Sequence, residues 1–243
     1  ARQMEFAETG KNKRVLISGE WGRFLYRTRC AQFIPTALWD DLSPVEWLLH
    51  KLGRNIWMQP GSWLVSRELS EAAGPWDERL SFDDDGEYFC RVLLESDGVK
   101  FVRGSKTYYR ATGPESLSTP DDSNRKLESA WISIRLHIQY LRWLEDSART
   151  REACITYLQT WLPMFCPWRP DIIRDMQRLA EILGGAVDLL DINDPLRWKF
   201  AWMKNIVGKD LAYRAQMYFP RCKHSFLRLW DKTMSRVEKI AHA

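Results

Sequence analysis

The chain has 243 residues, enough for one large domain or for a domain with an appendage. Its apolar fraction of 45% and charged fraction of 28% are typical of globular proteins, its net charge is +4, and no apolar run is long enough to cross a bilayer. The five cysteines include no CxxC pair, which argues against a zinc site or a disulfide framework and favours a reducing cytoplasm.

The first half of the chain predicts alternating strands and helices, the pattern of an α/β layer. Residues 1–8 have the composition of a helix interior with no cap before it, so we expect this chain to be a fragment of a longer protein. Strands are expected at 14–18, 23–26, 61–66, 99–102 and 106–111. Helices are expected at 44–52 (with Ser43 as N-cap and Gly53 as the stop), at 67–73 (ending at Gly74) and at 84–96.

The second half predicts a mostly α-helical region. Residues 112–123 are rich in Gly, Pro, Ser, Thr and Asp and indicate a loop or linker, which puts the boundary between two domains, 1–120 and 121–243. Apolar residues recur with a helical period over 126–145, and further helices are expected at 151–162 and from Asp171 to the Gly184–Gly185 pair.

An acidic run, Asp83-Asp84-Asp85, stands where a loop turns into the helix at 84–96. Asp84 and Glu87 have the spacing of a capping box, with Asp84 as N-cap, and Glu87 and Arg91 are spaced for an i,i+4 ion pair. These structural roles leave Asp85 unexplained. A carboxylate in a first helical turn is favoured in its ionised form by the helix dipole and can act as a general base.

The segment from Trp63 to Arg110 resembles the acceptor half of family 2 glycosyltransferases, which have the GT-A fold. The resemblance rests on the order and spacing of GSWLVSR (61–67), GPWDERL (74–80), the Asp84–Asp85 pair before GEYFCR (86–91), VKFV (99–102) and YYR (108–110). It implies a partial GT-A-like mixed sheet and an inverting transfer of a sugar from a nucleotide-sugar to an acceptor hydroxyl. Asp85 would then be the catalytic base, and Asp84 is the alternative if the alignment slips by one residue.

The resemblance also implies binding residues around the base. Those expected near the acceptor are Asp77, Glu78, Trp57 and Trp76, and those expected near the donor diphosphate are Tyr109 and Arg110. An aromatic face can stack on a sugar ring. The alternative roles are ordering of the loop before the helix for Asp77 and Glu78, and core packing for the tryptophans.

The donor half of such an enzyme has no equivalent in this sequence. The family holds Mg²⁺ or Mn²⁺ on the donor diphosphate with a DxD-type motif, so the metal is implied for a complete enzyme with ligands outside this chain. We therefore expect no metal site here and no activity from residues 1–243 alone. The implied partners are a nucleotide-sugar donor and a carbohydrate or lipid-linked acceptor.

The segment from Leu196 onward combines aromatic residues with an excess of Lys and Arg. That pattern suits amphipathic helices on an anionic membrane surface, although helices packed on the domain with a charged outer face remain an alternative. No nucleic-acid-binding signature accompanies the charge, so nucleic acid is not an expected partner. The second functional hypothesis is thus a non-catalytic helical module that docks on a membrane or a protein, with the acidic run as a mere helix cap.

Overall fold

The computed structural model describes residues 2–8, 14–112, 123–166, 168–187, 206 and 225–238. The chain divides into two compact units, one comprising Ala1–Gly22 and Phe33–Val187, the other Arg23–Gln32 and Asp188–Ala243. The predicted domain boundary between residues 120 and 121 lies outside the described residues, as do most of the predicted linker and most of the basic segment after Leu196.

A three-stranded sheet forms the β part of the fold. Its strands are β1 (Val15–Phe24), β2 (Gln32–Phe33) and β3 (Gly98–Arg110), in the order β2-β1-β3. β-Branched and aromatic residues are frequent in β1 and β3, as expected for strands. Helices flank this small sheet, so the predicted mixed α/β class is confirmed at that level.

Strand β1 is one element where the sequence predicts two, at 14–18 and 23–26. The intervening Gly19 is a point of close approach rather than a break, because a Cβ there would lie 2.7 Å from the carbonyl oxygen of Ser105 on β3. The strand continues through it and ends at Phe24.

Strand β3 likewise joins the two strands predicted at 99–102 and 106–111. Gly104 between them has a φ of 78°, and its N–H donates to the Glu20 carboxylate across a distance of 2.6 Å. Gly104 and the cross-strand acceptor Glu20 thus allow the strand to continue through residues 103–105, where the sequence predicts a gap between two strands.

The strand predicted at 61–66 is wrong. A single 3₁₀ turn, Pro60–Ser62, occupies its start, and the Ser62 hydroxyl stabilises that turn by donating to the Gln59 carbonyl at 2.6 Å. Only a bridge between Leu64 and Ile17 remains of the expected pairing. Pro60 is the first residue of this turn, and the fixed φ of proline suits that position.

Eight helices are present among the described residues. They are α1 (Arg2–Glu8), α2 (Pro44–Arg54), α3 (Arg67–Ala73), α4 (Asp84–Leu94), α5 (Asn124–Leu144), α6 (Ala148–Phe165), α7 (Pro170–Ile182) and α8 (225–238). The helices predicted between residues 44 and 185 all exist, with ends that shift by a few residues, whereas most of the segment after Leu196, where short helices are also expected, lies outside the described residues.

The ends of α2 and α3 follow local chemistry. Ser43 caps α2 as predicted, its hydroxyl accepting from the Glu46 N–H, and α3 ends at Gly74 with a φ of 75°. Gly53 does not stop α2. That helix continues for one more residue, and Asn55 ends it in the left-handed conformation.

The core of the first unit is built around α5, which packs against α2, α4 and α6. Its predicted apolar face is buried at Leu127, Trp131, Ile134, Ile138 and Leu141. This packing brings polar residues of α5 against the first turn of α4, where the acidic run lies.

Candidate active site

The acidic run opens α4 one residue earlier than the sequence predicts. Asp83 is the N-cap, in a left-handed conformation with a φ of 57°, and its side chain makes no capping hydrogen bond. The predicted capping box is wrong, because Asp84 is the first helical residue and Glu87 lies beyond the position that reaches back to the cap.

The carboxylate of Asp83 turns to α5 instead of capping its own helix. Ser133 donates its hydroxyl to Oδ2 of Asp83 at 2.6 Å, and Nδ1 of His137 lies 3.8 Å from the same oxygen. A Cβ at Gly86 would overlap this carboxylate, so the absent side chain at Gly86 permits the arrangement. Asp83 therefore connects α4 to α5.

His137 is fully buried, and its Nδ1 lies 3.1 Å from the Tyr157 hydroxyl oxygen. Burial, together with the positive charge of Lys51, lowers the pKa of His137 to about 4. Burial also raises the pKa of Tyr157. His137 and Tyr157 are consequently neutral at pH 7, and both belong to the packed interior.

Asp85 is half-buried in the first turn of α4, whereas Asp84 is exposed. The Gly86 N–H donates to Oδ1 of Asp85 at 2.8 Å. Burial raises the pKa of Asp85, and the neighbouring charge of Asp83 raises it further, so these effects outweigh the hydrogen bond from Gly86, which lowers the pKa. A carboxylate with a raised pKa is a stronger base than an ordinary surface aspartate.

Lys51 on α2 is the cation that acts on Asp85 and His137, and no sequence motif marks it as a functional residue. Only 5% of the residue is exposed, and it makes no hydrogen bond or ion pair with any residue that the structure describes. Its charge opposes the rise in the pKa of Asp85 and lowers that of His137. Its spacing in the sequence does indicate burial, because Lys51 follows Trp47 by four residues and therefore lies on the apolar side of α2.

Glu87 and Arg91 form the predicted i,i+4 ion pair, and it is buried. Arg91 donates from Nε and Nη2 to the Glu87 carboxylate at 2.6 and 3.0 Å, while Tyr140 of α5 donates its hydroxyl to Glu87 at 2.6 Å. The same guanidinium donates to the carbonyls of Ala73 and Pro75. One arginine thus ties the loop after α3 to α4.

Aromatic rings extend from the base candidate along α4. Phe89 lies four residues after Asp85, hence on the same helix face. The ring of Trp63 stacks on Phe89 with centroids 5.6 Å apart, and Trp76 stacks on Tyr88 at 4.4 Å with an interplanar angle of 6°. Trp76 keeps an exposed surface beside this stack.

The two acidic residues predicted near the acceptor are placed differently from each other. Asp77 accepts both guanidinium donors of Arg79, at 2.6 to 3.1 Å, and this pairing lowers the pKa of Asp77. Glu78 is exposed to solvent. The contacts of Asp77 are those of a residue that orders the loop.

The remaining predicted binding residues meet at the sheet. Trp57 stacks on Trp21 of β1 with centroids 4.6 Å apart, and Tyr109 of β3 approaches Trp21 edge-on at 6.3 Å. Arg110 is the last residue of β3 and is exposed. The fold therefore unites Trp57 and Tyr109, which the sequence assigned to acceptor and donor respectively, in one aromatic cluster.

The described residues do not fit the divalent metal that the family resemblance implies. They contain no group of three or more His, Cys, Asp or Glu side chains that could hold a metal ion. In the acidic run, Asp83 accepts from Ser133, Asp84 is exposed and Asp85 accepts from Gly86, so the three carboxylates do not converge.

Comparison of the chain with protein-family models, with curated proteins and with solved structures finds no match. The assignment of a function therefore depends on the geometry around Asp85. Within the described part of the chain, no helix is both long enough and apolar enough to cross a membrane.

Proposed function

We propose that this chain carries the acceptor side of an inverting glycosyltransferase with a GT-A-like sheet, and that Asp85 is its catalytic base. The observation that carries the proposal is the state of Asp85, a half-buried carboxylate with a raised pKa at the start of α4. Its second oxygen, Oδ2, accepts no hydrogen bond from the described residues, which leaves it available to a substrate hydroxyl.

The surroundings of Asp85 suit a sugar acceptor. Phe89 shares its helix face, and the stacked rings of Trp63 and Trp76 continue from there. Aromatic faces of this kind bind the apolar face of a sugar ring while hydroxyl groups remain free for hydrogen bonds. The cation of Lys51 favours the carboxylate form of Asp85 that a base requires.

The proposed reaction is a single displacement. Asp85 takes the proton of the acceptor hydroxyl as the oxygen of that hydroxyl forms a bond to the anomeric carbon of the donor. The bond from that carbon to the diphosphate breaks, and the nucleoside diphosphate leaves with the electron pair. The Mg²⁺ or Mn²⁺ that such chemistry commonly employs has no fitting ligand set among the described residues, and no step is assigned to it.

The test is the turnover of nucleotide-sugars by the full-length product of the gene that encodes this chain. Asp85→Asn is expected to lower kcat about 10²-fold or more, the usual contribution of a general base. Asp84→Asn is the matched control, because Asp84 is the exposed neighbour on the same turn. Full turnover by Asp85→Asn, or equal losses in the two variants, would refute the assignment.

A second candidate function rests on α8. Asp231 of α8 faces residues 23–32, where its carboxylate accepts from the Tyr26 N–H at 2.8 Å and from Arg27 Nε at 2.5 Å. Other large apolar side chains of α8 are exposed, namely Phe226, Leu229, Trp230 and Val237. An exposed apolar helix face with Lys232 and Arg236 along its edge suits an anionic lipid surface.

This second function is a non-catalytic docking module, peripheral at the inner face of the membrane. Both candidates imply a cytoplasmic location, in agreement with the cysteine usage. Co-sedimentation with phosphatidylserine-containing vesicles at low salt tests the docking function, with phosphatidylcholine vesicles as the control. Loss of sedimentation in a Phe226→Ser, Trp230→Ser double variant is expected, and the absence of binding by the unaltered chain would eliminate this candidate.

A further inference from the structure

A groove on the outer side of α5 has no role in the proposed chemistry. It encloses about 590 Å³ and is lined by Arg79, by five polar or aromatic residues of α5 and the segment after it, and by a few aliphatic side chains. The polar and aromatic lining residues are Arg79, Arg135, Gln139, Arg142, Trp143 and Asp146. A volume of this size is within the range of small-ligand sites.

The groove is separate from the acidic run. None of the residues Asp83, Asp84 and Asp85 lines it, and the α5 residues that contact α4, Ser133 and Tyr140, lie on the other side of the helix. A ligand in the groove would therefore contact the protein independently of Asp85.

Two guanidinium groups in the groove have unused donors. Arg135 makes no ion pair with any described residue and lies over the Trp131 ring, 5.9 Å from its centroid. Nε of Arg142 is buried without a hydrogen-bond acceptor, although its Nη2 donates to Asp146 at 2.8 Å. Because this Nε is buried, Arg135 is the arginine that presents unused N–H donors to a ligand in the groove.

The two carboxylates beside the groove, Asp77 and Asp146, are already paired with arginines other than Arg135. Asp77 neutralises Arg79 through a bidentate pair, and Asp146 accepts from Arg151 as well as from Arg142. The lining itself contains three arginines against one aspartate. Arg135, which is exposed and pairs with no described carboxylate, thus offers positive charge and directed N–H groups to an incoming anion.

Trp143 provides the apolar surface of the groove. It is 66% exposed, which is unusual for so large an apolar side chain, and Gln139 stands one turn before it on the same face. An exposed indole beside an amide is an arrangement that binds a sugar ring, by stacking on one face and hydrogen bonding at the edge.

We propose that this groove binds an anionic saccharide, a sugar ring that bears a phosphate or a carboxylate. The ring stacks on Trp143, and its anionic group accepts hydrogen bonds from the exposed guanidinium of Arg135. The site goes beyond the proposed glycosyl transfer, because it requires neither Asp85 nor a sugar donor.

The experiment is a titration of the chain with four probes: glucose 6-phosphate, glucuronate, glucose and inorganic phosphate. Binding is measured by calorimetry and by the shift of the Trp143 indole N–H resonance, assigned by its loss in Trp143→Ala. We expect glucose 6-phosphate or glucuronate to bind at least tenfold more tightly than glucose and inorganic phosphate, because only the two anionic sugars contact both the indole of Trp143 and the guanidinium of Arg135. The comparison of the first two probes tells phosphate from carboxylate.

Matched variants locate the site. Trp143→Ala and Arg135→Gln are each expected to weaken binding about tenfold or more, the usual effect of losing one charge-assisted contact or one stacked ring. Trp168→Ala and Arg178→Gln are the controls, since both residues are exposed and neither lines the groove. All four positions are on the surface, and unchanged thermal midpoints verify that the variants fold.

Three outcomes would overturn the proposal. They are no binding of either anionic sugar at millimolar concentration, equally tight binding of inorganic phosphate alone, and equal effects of the groove and control variants. Because the titration involves no turnover, each of these outcomes is independent of the assay of Asp85→Asn.

Discussion

Glu87→Gln tests the buried ion pair that fixes the loop after α3. Glu87 is 1% exposed and accepts from Arg91 and from Tyr140, so its replacement by the isosteric amide removes a charge without creating a cavity. The variant leaves the Arg91 guanidinium with no carboxylate partner. Only 19% of the Arg91 side chain is exposed, and solvent cannot fully compensate for the loss.

Breaking a buried pair by removing one partner costs about 3 to 5 kcal/mol. We expect about 3 kcal/mol here, because the carbonyls of Ala73 and Pro75 still accept from Arg91 and because Gln retains one carbonyl oxygen for Tyr140. For a chain of this length, that loss corresponds to a fall of about 6 to 12 °C in the thermal midpoint.

The assay is thermal and urea denaturation followed by circular dichroism. Glu145→Gln is the matched control, since Glu145 forms the same i,i+4 pair with Arg149 at the surface, where such pairs contribute little. Limited proteolysis adds a second measurement, because release of the Arg91 contacts should expose the loop at Pro75 to cleavage. Equal midpoints for Glu87→Gln and Glu145→Gln would refute the reasoning.

Three further predictions concern residues of α4 and α5, namely Gly86, Cys90 and His137. Gly86→Ala is expected to lower the free energy of unfolding by about 1 kcal/mol, because the new Cβ displaces the Asp83 carboxylate. A Gly→Ala change within a helix ordinarily stabilises, so a gain in stability measured by urea denaturation would contradict this prediction. Iodoacetamide at pH 8 should modify the exposed Cys30 and leave Cys90 unmodified, because burial raises the pKa of the Cys90 thiol to about 12. Equal labelling of the two cysteines, measured by mass spectrometry of the peptides, would contradict this prediction. The pKa of His137 is about 4 in the folded chain and about 6.5 in the unfolded chain, so the unfolded state binds more protons below pH 6.5. The free energy of unfolding should therefore fall by about 2 kcal/mol from pH 7 to pH 5. A His137→Gln variant with the same pH dependence would exclude His137 as the cause.

The helices were predictable from sequence because their signals are local. The apolar period over α5, the N-cap at Ser43 and the stop at Gly74 depend on residues within a few positions of each other, and the structure contains all three. The i,i+4 pair of Glu87 with Arg91 was predictable for the same reason.

The strands were predicted less well, because their limits are set by residues distant in sequence. Gly19 looks like a break until Ser105 is known to pass beside it, and the segment 61–66 has strand composition but forms one bridge. The local sequence pattern does not show which residues, distant in sequence, lie beside a strand.

In the candidate site too, some features depend on residues nearby in sequence and others on residues distant in sequence. Asp85 was identified by its position in a short motif, whereas the burial that raises its pKa comes from packing of α2 and α5 against α4. The shift of the N-cap from Asp84 to Asp83 also has a remote cause, the Ser133 hydroxyl on α5. Lys51 was overlooked because a lysine in an amphipathic helix is ordinarily a surface residue.

The stacking of Trp21 on Trp57 has an optical consequence. Two indoles with centroids 4.6 Å apart and planes inclined by 29° are close enough for their electronic transitions to couple. Such coupling gives the folded chain a paired positive and negative band in its far-ultraviolet circular dichroism, and Trp57→Phe should abolish it. The aromatic cluster thus provides an intrinsic signal, without any attached label, that reports whether the sheet and the segment carrying Trp57 are assembled.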